Sequence, residues 1–481
     1  MTNSQNNSAQ LPSYIASAVP NPPGNRAPWY KNTAPTYAGI FLWFVFWQAA
    51  VNAPNLGGAL SQGIGLALGS LVLAALICHY LFYLVPGMLG MKTGLPLYIV
   101  GTSTFGATGG FVMPGFIMGV LQFGWLGVNI YFSSLALNAM IGLAHPEILM
   151  VLWGVLAAFM GLKGIQYVAK VSSLLPIIPF AILLILLFKT IGSVGTFNPT
   201  VLIDSHKILV PTAPAALDSI GVVALILTYV VGFFATAGAA GCDFGSGNRD
   251  KSDVKMGGLV GVALAIAFTA GASALIVAGV HGNAEMHKLA MDAAAAAPAT
   301  ANKGDLILQS TGLISVIMGT ETAKIMMFLL ALTAFPSACF SSLIAANCFK
   351  TTLPKVNPFI SVGIGAAVSI ALAVTGYAGK VIPVFVIIGA SFGPICGAMM
   401  VDYLLSGKKW AGPRAGLNPA GWIAWALGFI VGILPNLGVA VPAAPLAAFV
   451  VGAVVYFVCA KVGLQSATIP LTGALANATK G

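Results

Sequence analysis

Apolar residues run through the chain in long unbroken blocks, each closed by a short polar break. A helix needs about 20 apolar residues to cross a hydrocarbon core. On that measure the pattern predicts twelve spans: 38–63, 65–90, 110–138, 147–166, 172–193, 217–242, 256–280, 322–346, 357–377, 380–404, 418–437 and 440–461. A membrane barrel would instead alternate apolar and polar residues in segments of about ten. The prediction is an all-α integral membrane protein. Residues 1–35 are rich in Asn, Ser and Pro and read as a disordered cytoplasmic tail; residues 462–481 read as a second cytoplasmic tail. The connections 194–216 and 281–321 are long, and the second reads equally as short helices or as a solvated loop. Residues 91–109 predict a short helix on the cytoplasmic side.

Composition strengthens this reading. The chain is 58% hydrophobic and 7% charged, where soluble domains carry about 25% charged residues. The net charge of +10 raises nucleic acid as a partner, but the basic residues are scattered singly between apolar blocks and form no patch. With the N-terminus inside, fifteen of the 21 Lys and Arg fall on the inner side. That asymmetry predicts an even number of spans and two cytoplasmic termini. The six cysteines form no CxxC pair and read as small buried hydrophobes. Residues 1–35 lack an apolar h-region, so no cleavable signal peptide is expected.

Two spans depart from plain apolar helices. Span one carries Gln48, Asn52, Pro54, Asn55, Gly57 and Gly58. Span six carries Gly232, Gly238 and Gly241 around Phe233, Phe234 and Thr236. Glycine is about 1 kcal/mol less favourable than alanine in a helix, so the 232–241 stretch is expected to open. Interrupted spans at corresponding positions point to an inverted repeat with a binding site between its halves. The expected organisation is a 5+5 repeat, 36–193 and 217–404, followed by two helices over 405–461.

Gln122, Trp125 and Asn129 in span three share one helical face. They read either as a ligand-stacking face or as interhelical glue. Thr333, Ser337 and Ser341 in span eight form a polar stripe that is either a packing contact or a hydroxyl ladder facing a cation. The spans hold few titratable groups: His79 is the main one, with Asp243, Asp402 and Lys324 near span ends. Proton coupling usually uses an intramembrane acid or histidine, so this pattern favours sodium. No constellation for covalent chemistry is present; Gly389–Gly393 fits GxSxG but lies within an apolar span rather than a strand-to-helix turn.

These residues resemble the nucleobase–cation symporters, in particular the cytosine permease group. Met91-Lys92-Thr93-Gly94-Leu95 with Ser103-Thr104-Phe105-Gly106 is similar to that family's segment after span two. Gln122-Phe123-Gly124-Trp125-Leu126-Gly127, Gly232 to Phe244, and Val401-Asp402-Tyr403-Leu404 with Lys408-Lys409-Trp410 resemble further segments in the same order. The resemblance covers roughly residues 36–460. It implies the fold of the leucine and hydantoin transporters, alternating access, and import of a planar nitrogen heterocycle, a purine or pyrimidine base of cytosine type. It implies that Trp125 stacks on the base, Gln122 bonds its edge, and Phe234 supplies the opposing face. Thr236, opened backbone at Phe233–Gly238 and Thr333 would read the polar edge. Ser337 and the carbonyls of Phe46 and Ala49 would hold Na+. Thr333 stands where the cytosine group has asparagine, Phe233 where it has serine, and Pro336 where it has threonine. The expectation is a monomeric carrier of the bacterial-type inner membrane, without cofactor. A proton-coupled carrier of hydantoin, allantoin or a thiamine-precursor pyrimidine is the alternative, and a receptor or channel on the same fold is the alternative of another class.

Overall fold

A broken helix at the start of the first apolar block is the element around which the others are arranged. The computed structural model describes residues 11–163, 174–298, 301–471 and 475–476. Its regular structure is helical, with two isolated bridges, Ala27 to Asn248 and Arg414 to Thr468. The first block forms α1 (Thr33–Leu42) and α2 (Phe44–Gln48). It is followed by α3 (Ile64–Thr93), α4 (Phe111–Ile141), α5 (Glu147–Lys163), α6 (Ile177–Thr196) and α7 (Ser219–Ala239). Then come α8 (Lys251–Gly282), α9 (Thr320–Thr352), α10 (Pro358–Val374), α11 (Val381–Leu405), α12 (Pro419–Leu437) and α13 (Ala444–Lys461). Among the described residues nine of these are long and apolar enough to cross a membrane: α3, α4, α6 to α9 and α11 to α13. The predicted spans 147–166 and 172–193 run in part through 164–173, which lies outside the described residues.

The chain kinks at Trp43 (φ −59°, ψ 121°), leaves helix after Gln48, and turns back over residues 49–60. Gly57 and Gly58 make that return with φ of 73° and 55°. A Cβ on Gly58 would stand 2.3 Å from the Val51 carbonyl oxygen. Opened backbone at membrane depth must find partners. The Tyr229 hydroxyl of α7 supplies one by donating its single proton to the Phe46 carbonyl, with the Val45 carbonyl beside it at 3.2 Å.

The glycine-rich stretch of α7 does not open as predicted. It is continuous helix to Ala239, interrupted only at Ala240 before the short helix Gly241–Gly245. Its glycines serve close approach. A Cβ on Gly232 would lie 2.6 Å from the Phe385 carbonyl oxygen of α11, and one on Gly238 2.8 Å from Phe82 of α3. Packing against neighbours thus replaces the backbone freedom that the composition suggested.

Both terminal segments differ from solvated tails where they are described. Ile15 is fully buried, Asn21 donates its N–H to the Gly94 carbonyl (2.8 Å), and Arg26 donates to the Met91 carbonyl (2.6 Å). Sparse apolar and polar groups dock the segment across the loop between α3 and α4, a pattern too irregular to read as periodicity. Beyond α13, Ile469 donates to the Pro413 carbonyl and Ala415 to the Ala467 carbonyl. Residues 1–10, 472–474 and 477–481 of the predicted tails lie outside the described residues. Of the two long connections, the first holds the helix Pro199–Leu209 and the second holds Ala284–Ala296, Lys303–Leu308 and Ile314–Met318.

Candidate functional site

Between α1, α4, α7 and α9 lies a cavity of about 1050 Å³. Exposed Lys31, Asn347 and Lys350 stand at its open end, beside the docked N-terminal segment. Trp43, Trp125, Phe233 and Asn129 line its other end. Beyond them a polar seal joins the span-one break to the second long connection. Thr311 donates to the Gln48 amide oxygen (2.6 Å), Ser310 N–H to the Gln48 carbonyl (3.2 Å), and Asn52 to the Asp305 carboxylate (3.0 Å). The His206 ring accepts from the Gly57 N–H (3.2 Å) on the same side. Access to the cavity is therefore from one end.

Trp125 is half-buried and its indole N–H donates to the Thr236 hydroxyl at 3.2 Å. Phe233 meets Trp125 edge-on, with centroids 5.0 Å apart at 81°. Trp43 lies 6.1 Å from Trp125 at 64°, and Phe385 5.5 Å away at 39°. Tilted and edge-on aromatic contacts of this spacing are favourable, so the rings hold one another and leave a flat wall. Gln122 is buried, and among the described residues its amide N–H meets only the Met118 sulfur, at 3.6 Å, while its carbonyl oxygen and second N–H have no hydrogen-bond partner.

The hydroxyl stripe of α9 faces the cavity: Thr333, Ser337 and Ser341 all line it. Thr333 donates to the Leu330 carbonyl and Ser337 to the Ala334 carbonyl, at 2.8 and 2.7 Å. A hydroxyl has one proton. Both groups therefore offer the cavity only an acceptor oxygen. Thr236 accepts from Trp125, and no acceptor for its own proton is found among the described residues, so it can donate. The wall thus combines flat apolar rings with a donor, two acceptors and an uncommitted amide. That set suits a planar solute with polar edges.

Of the residues read from sequence, the structure brings Gln122, Trp125, Phe233, Thr236, Thr333 and Ser337 to one cavity. Phe234 lies outside its wall: it is fully buried and stacks on Phe41 at 5.7 Å and 28°. One residue along a helix turns about 100°, so Phe233 takes the cavity face and Phe234 the interior. Gly238 faces Phe82 instead. Phe46 and Ala49 also lie outside the wall; the Phe46 carbonyl accepts from Tyr229 and the Ala49 carbonyl from Asn52 N–H. Among the described residues no three His, Cys, Asp or Glu side chains gather as a metal site.

Sequence reasoning missed Trp43 and read Asp243 only as a titratable group near a span end. Span one offers Trp43, Phe44, Phe46 and Trp47 in succession, and the kink at Trp43 shifts the helical phase that would have picked one out. Asp243 follows α7, accepts from the Leu97 N–H (3.3 Å) and opens onto the cavity. Its side chain is exposed to the cavity rather than buried, and the protein enclosing that cavity desolvates the carboxyl and raises its pKa to about 6, partly offset by that hydrogen bond. It is the one acid among the lining residues, which is the signal that a sequence scan ranks low at a span end.

Known proteins resemble the chain in sequence and fold. Over 239 residues it is 26% identical to the cytosine permease of Escherichia coli strain K12, and likewise to that of Escherichia coli O157:H7. The match takes in 48% of this chain, which spans 50% of the length of each relative. The solved structure of Mhp1, a nucleobase-cation-symport-1 family transporter, in a closed conformation with bromovinylhydantoin bound, aligns over 97% of this chain and 98% of its own, with a TM-score of 0.59 and 15% identity. Sequence and fold together support a nucleobase–cation symporter family. Inward-facing Mhp1 gives a TM-score of 0.60 over 94% of this chain and 95% of its own, also at 15% identity. A Na+-coupled sialic acid symporter in a substrate-bound outward-open state gives 0.54 over 92% of each chain, at 14% identity. At these identities the solved structures show a shared transporter fold. No protein-family model matches the chain. The sequence relatives are permeases, not enzymes.

Proposed function

We propose that the chain is a secondary active transporter that imports a planar nitrogen heterocycle, a purine or pyrimidine base of cytosine type, in symport with Na+. The observation that carries this reading is the cavity, open at one end and sealed at the other. Its deep end is walled by Trp125, Trp43 and Phe233 and edged by Thr236, Gln122 and Thr333. In this reading the base lies against the Trp125 ring while Gln122, Thr236 and Thr333 read its edge. Twelve spans in a 5+5 inverted repeat plus two place the cavity between the repeats. The Lys31 and Lys350 end faces the cytoplasm, as the positive-inside distribution favours. The carrier works as a monomer in the inner membrane and makes no covalent change in its cargo. Na+ binds where the Ser337 hydroxyl meets the carbonyls of Phe46 and Ala49. Alternating access would have to bring span one and span eight together there.

The test is uptake in proteoliposomes with labelled cytosine, uracil and hypoxanthine under imposed gradients. Uptake of a base that follows an inward Na+ gradient and saturates is expected. Solute flow without saturation or counterflow would mean a channel and would overturn the proposal. The second reading, a proton-coupled carrier of hydantoin, allantoin or a thiamine-precursor pyrimidine, is favoured by Asp243, a cavity carboxyl whose raised pKa brings it near physiological pH. Uptake that follows a pH gradient, ignores sodium and is lost in Asp243→Asn would select it.

A further inference from the structure

The Asn129 amide is the most fully engaged polar group on the cavity wall. Its two N–H groups go to the Ala334 carbonyl and to the Ser337 hydroxyl, both at 2.9 Å. Its oxygen accepts from the Ser133 hydroxyl (3.2 Å) and the Trp153 indole (3.1 Å). An asparagine side chain has two donors and two acceptor sites, and here all four are used. The orientation is also fixed. A flipped amide would set its NH2 against the Trp153 N–H and its oxygen against the Ala334 carbonyl. Asn129 sits on α4, Trp153 on α5, and Ala334 and Ser337 on α9, so one side chain ties three helices at 2% exposure.

The consequence falls on Ser337. Its proton is held by the Ala334 carbonyl at 2.7 Å. One of its lone pairs is taken by Asn129. What it presents to the cavity is a single oriented lone pair. A cation ligand of neutral oxygens needs that: an acceptor that cannot swing round to offer a proton. Without Asn129 the hydroxyl would have a free lone pair and more rotational freedom, and it would lose the partner that sets its direction.

We infer that Asn129 is a positioning residue for the coupling cation, acting through Ser337 with Trp153 as its brace. The inference rests on the sodium reading proposed above. It places the cation dependence of the carrier in an amide on α4 whose donors and acceptors are all spent on the protein itself.

The test uses Na+ itself as the probe. The unfolding temperature of the purified full chain is followed against NaCl, with choline chloride at equal ionic strength as control. A ligand that binds only the folded protein raises its stability. The wild type is expected to gain stability with Na+ over choline. Ser337→Ala removes that gain, and Asn129→Ala raises the half-saturating Na+ concentration about tenfold. In the Ser337→Ala background, Asn129→Ala adds no further loss of Na+ response, the non-additivity of residues that act as one unit. A merely structural asparagine would lower stability in NaCl and choline alike and leave the half-saturating concentration unchanged, which overturns the inference while the sodium reading stands. A wild type that responds equally to both salts overturns both. Trp153→Phe covers the case in which Asn129→Ala fails to fold: it keeps one aromatic ring at the site and removes the N–H together with the rest of the indole, and a rise of about threefold is expected. A Trp153→Phe titration identical to wild type overturns the bracing.

Discussion

The Trp125 indole nitrogen and the Thr236 hydroxyl oxygen are 3.2 Å apart, and the bond between them joins α4 to α7 across the wall of the cavity. It fixes the plane of the ring that forms that wall. It also turns Thr236 from a hydroxyl of either sense into a donor. Two roles that the sequence placed in separate residues are thus one unit.

Removing the ring and removing the bond should therefore differ. Stacking of a base on an aromatic side chain is worth about 1–3 kcal/mol. Trp125→Ala is expected to weaken binding of the transported base roughly tenfold or more. Thr236→Val keeps the shape but deletes the acceptor, a net loss of about 1 kcal/mol, and should weaken binding about fivefold. Equilibrium binding of labelled base to detergent-purified variants measures both. Equal losses in the two variants would mean that the indole ring adds nothing beyond its bond to Thr236.

Gly232 offers a prediction in which two physical effects have opposite signs. Alanine is the better helix former by about 1 kcal/mol, so Gly232→Ala would stabilise a helix limited by glycine flexibility. The added Cβ, however, would meet the Phe385 carbonyl oxygen at 2.6 Å. Overpacking costs about 1–3 kcal/mol, and backbone cannot step aside as a side chain can. A lower unfolding temperature is expected. A higher one would show that α7 and α11 separate freely at this point.

The same contrast explains what could be read from the sequence. Apolar block length gave the main helices, because hydrocarbon thickness dictates it. The face holding Gln122, Trp125 and Asn129 was legible from three- and four-residue spacing, and so was the stripe of Thr333, Ser337 and Ser341. Gly57 and Gly58 marked a backbone turn correctly, whereas Gly232 and Gly238 marked helix contacts: composition does not distinguish a glycine needed for positive φ from one needed for closeness. The choice of Phe233 over Phe234 for the cavity depended on helical phase, and that of Trp43 on a kink with no residue signature. Asn129 was legible as a polar face residue, but its four partners come from three helices and no local pattern contains them.

The polar cluster at the sealed end should make stability depend on pH. His287 bonds the ring of His281 through Nδ1 (2.9 Å) and the Ser205 hydroxyl through Nε2 (3.2 Å). Burial holds its pKa below the ordinary value, and that of His206 likewise. A folded state that binds fewer protons than the unfolded one is fully stable above the unfolded pKa, about 6.5, and loses stability as pH falls through it. Asp305 has the opposite sign: burial raises its carboxyl, with the Asn52 and Asn302 hydrogen bonds offsetting part, and its window starts lower, near about 3.9. The unfolding temperature is therefore expected to fall between pH 7.5 and 5.5, and His287→Gln should flatten the fall. An unchanged slope in that variant would remove His287 from the account.

Cysteine chemistry can report which end of the cavity is open. Of the six cysteines, five are buried, and the half-exposed one, Cys348, lines the cavity near its open end. Thiolate reactivity needs access, so a small maleimide should label the purified protein at Cys348, and Cys348→Ser should abolish labelling. The opposite end is held shut in part by the Asn52 to Asp305 bond of 3.0 Å. A conformational equilibrium moves when contacts present in only one state are removed. Asn52→Ala deletes a contact made in the present conformation, so it should shift the population toward the arrangement in which this seal is open and the present mouth is closed. Labelling of Cys348 should then slow by several-fold, while Lys288→Ala, on the exposed face of the helix Ala284–Ala296, should leave it unchanged. A labelling rate in Asn52→Ala equal to that of the wild type would mean that the two ends are not coupled through this bond, and the seal would then have to be sought in the contacts of Gln48 with Thr311 and Ser310 and of Gly57 with His206.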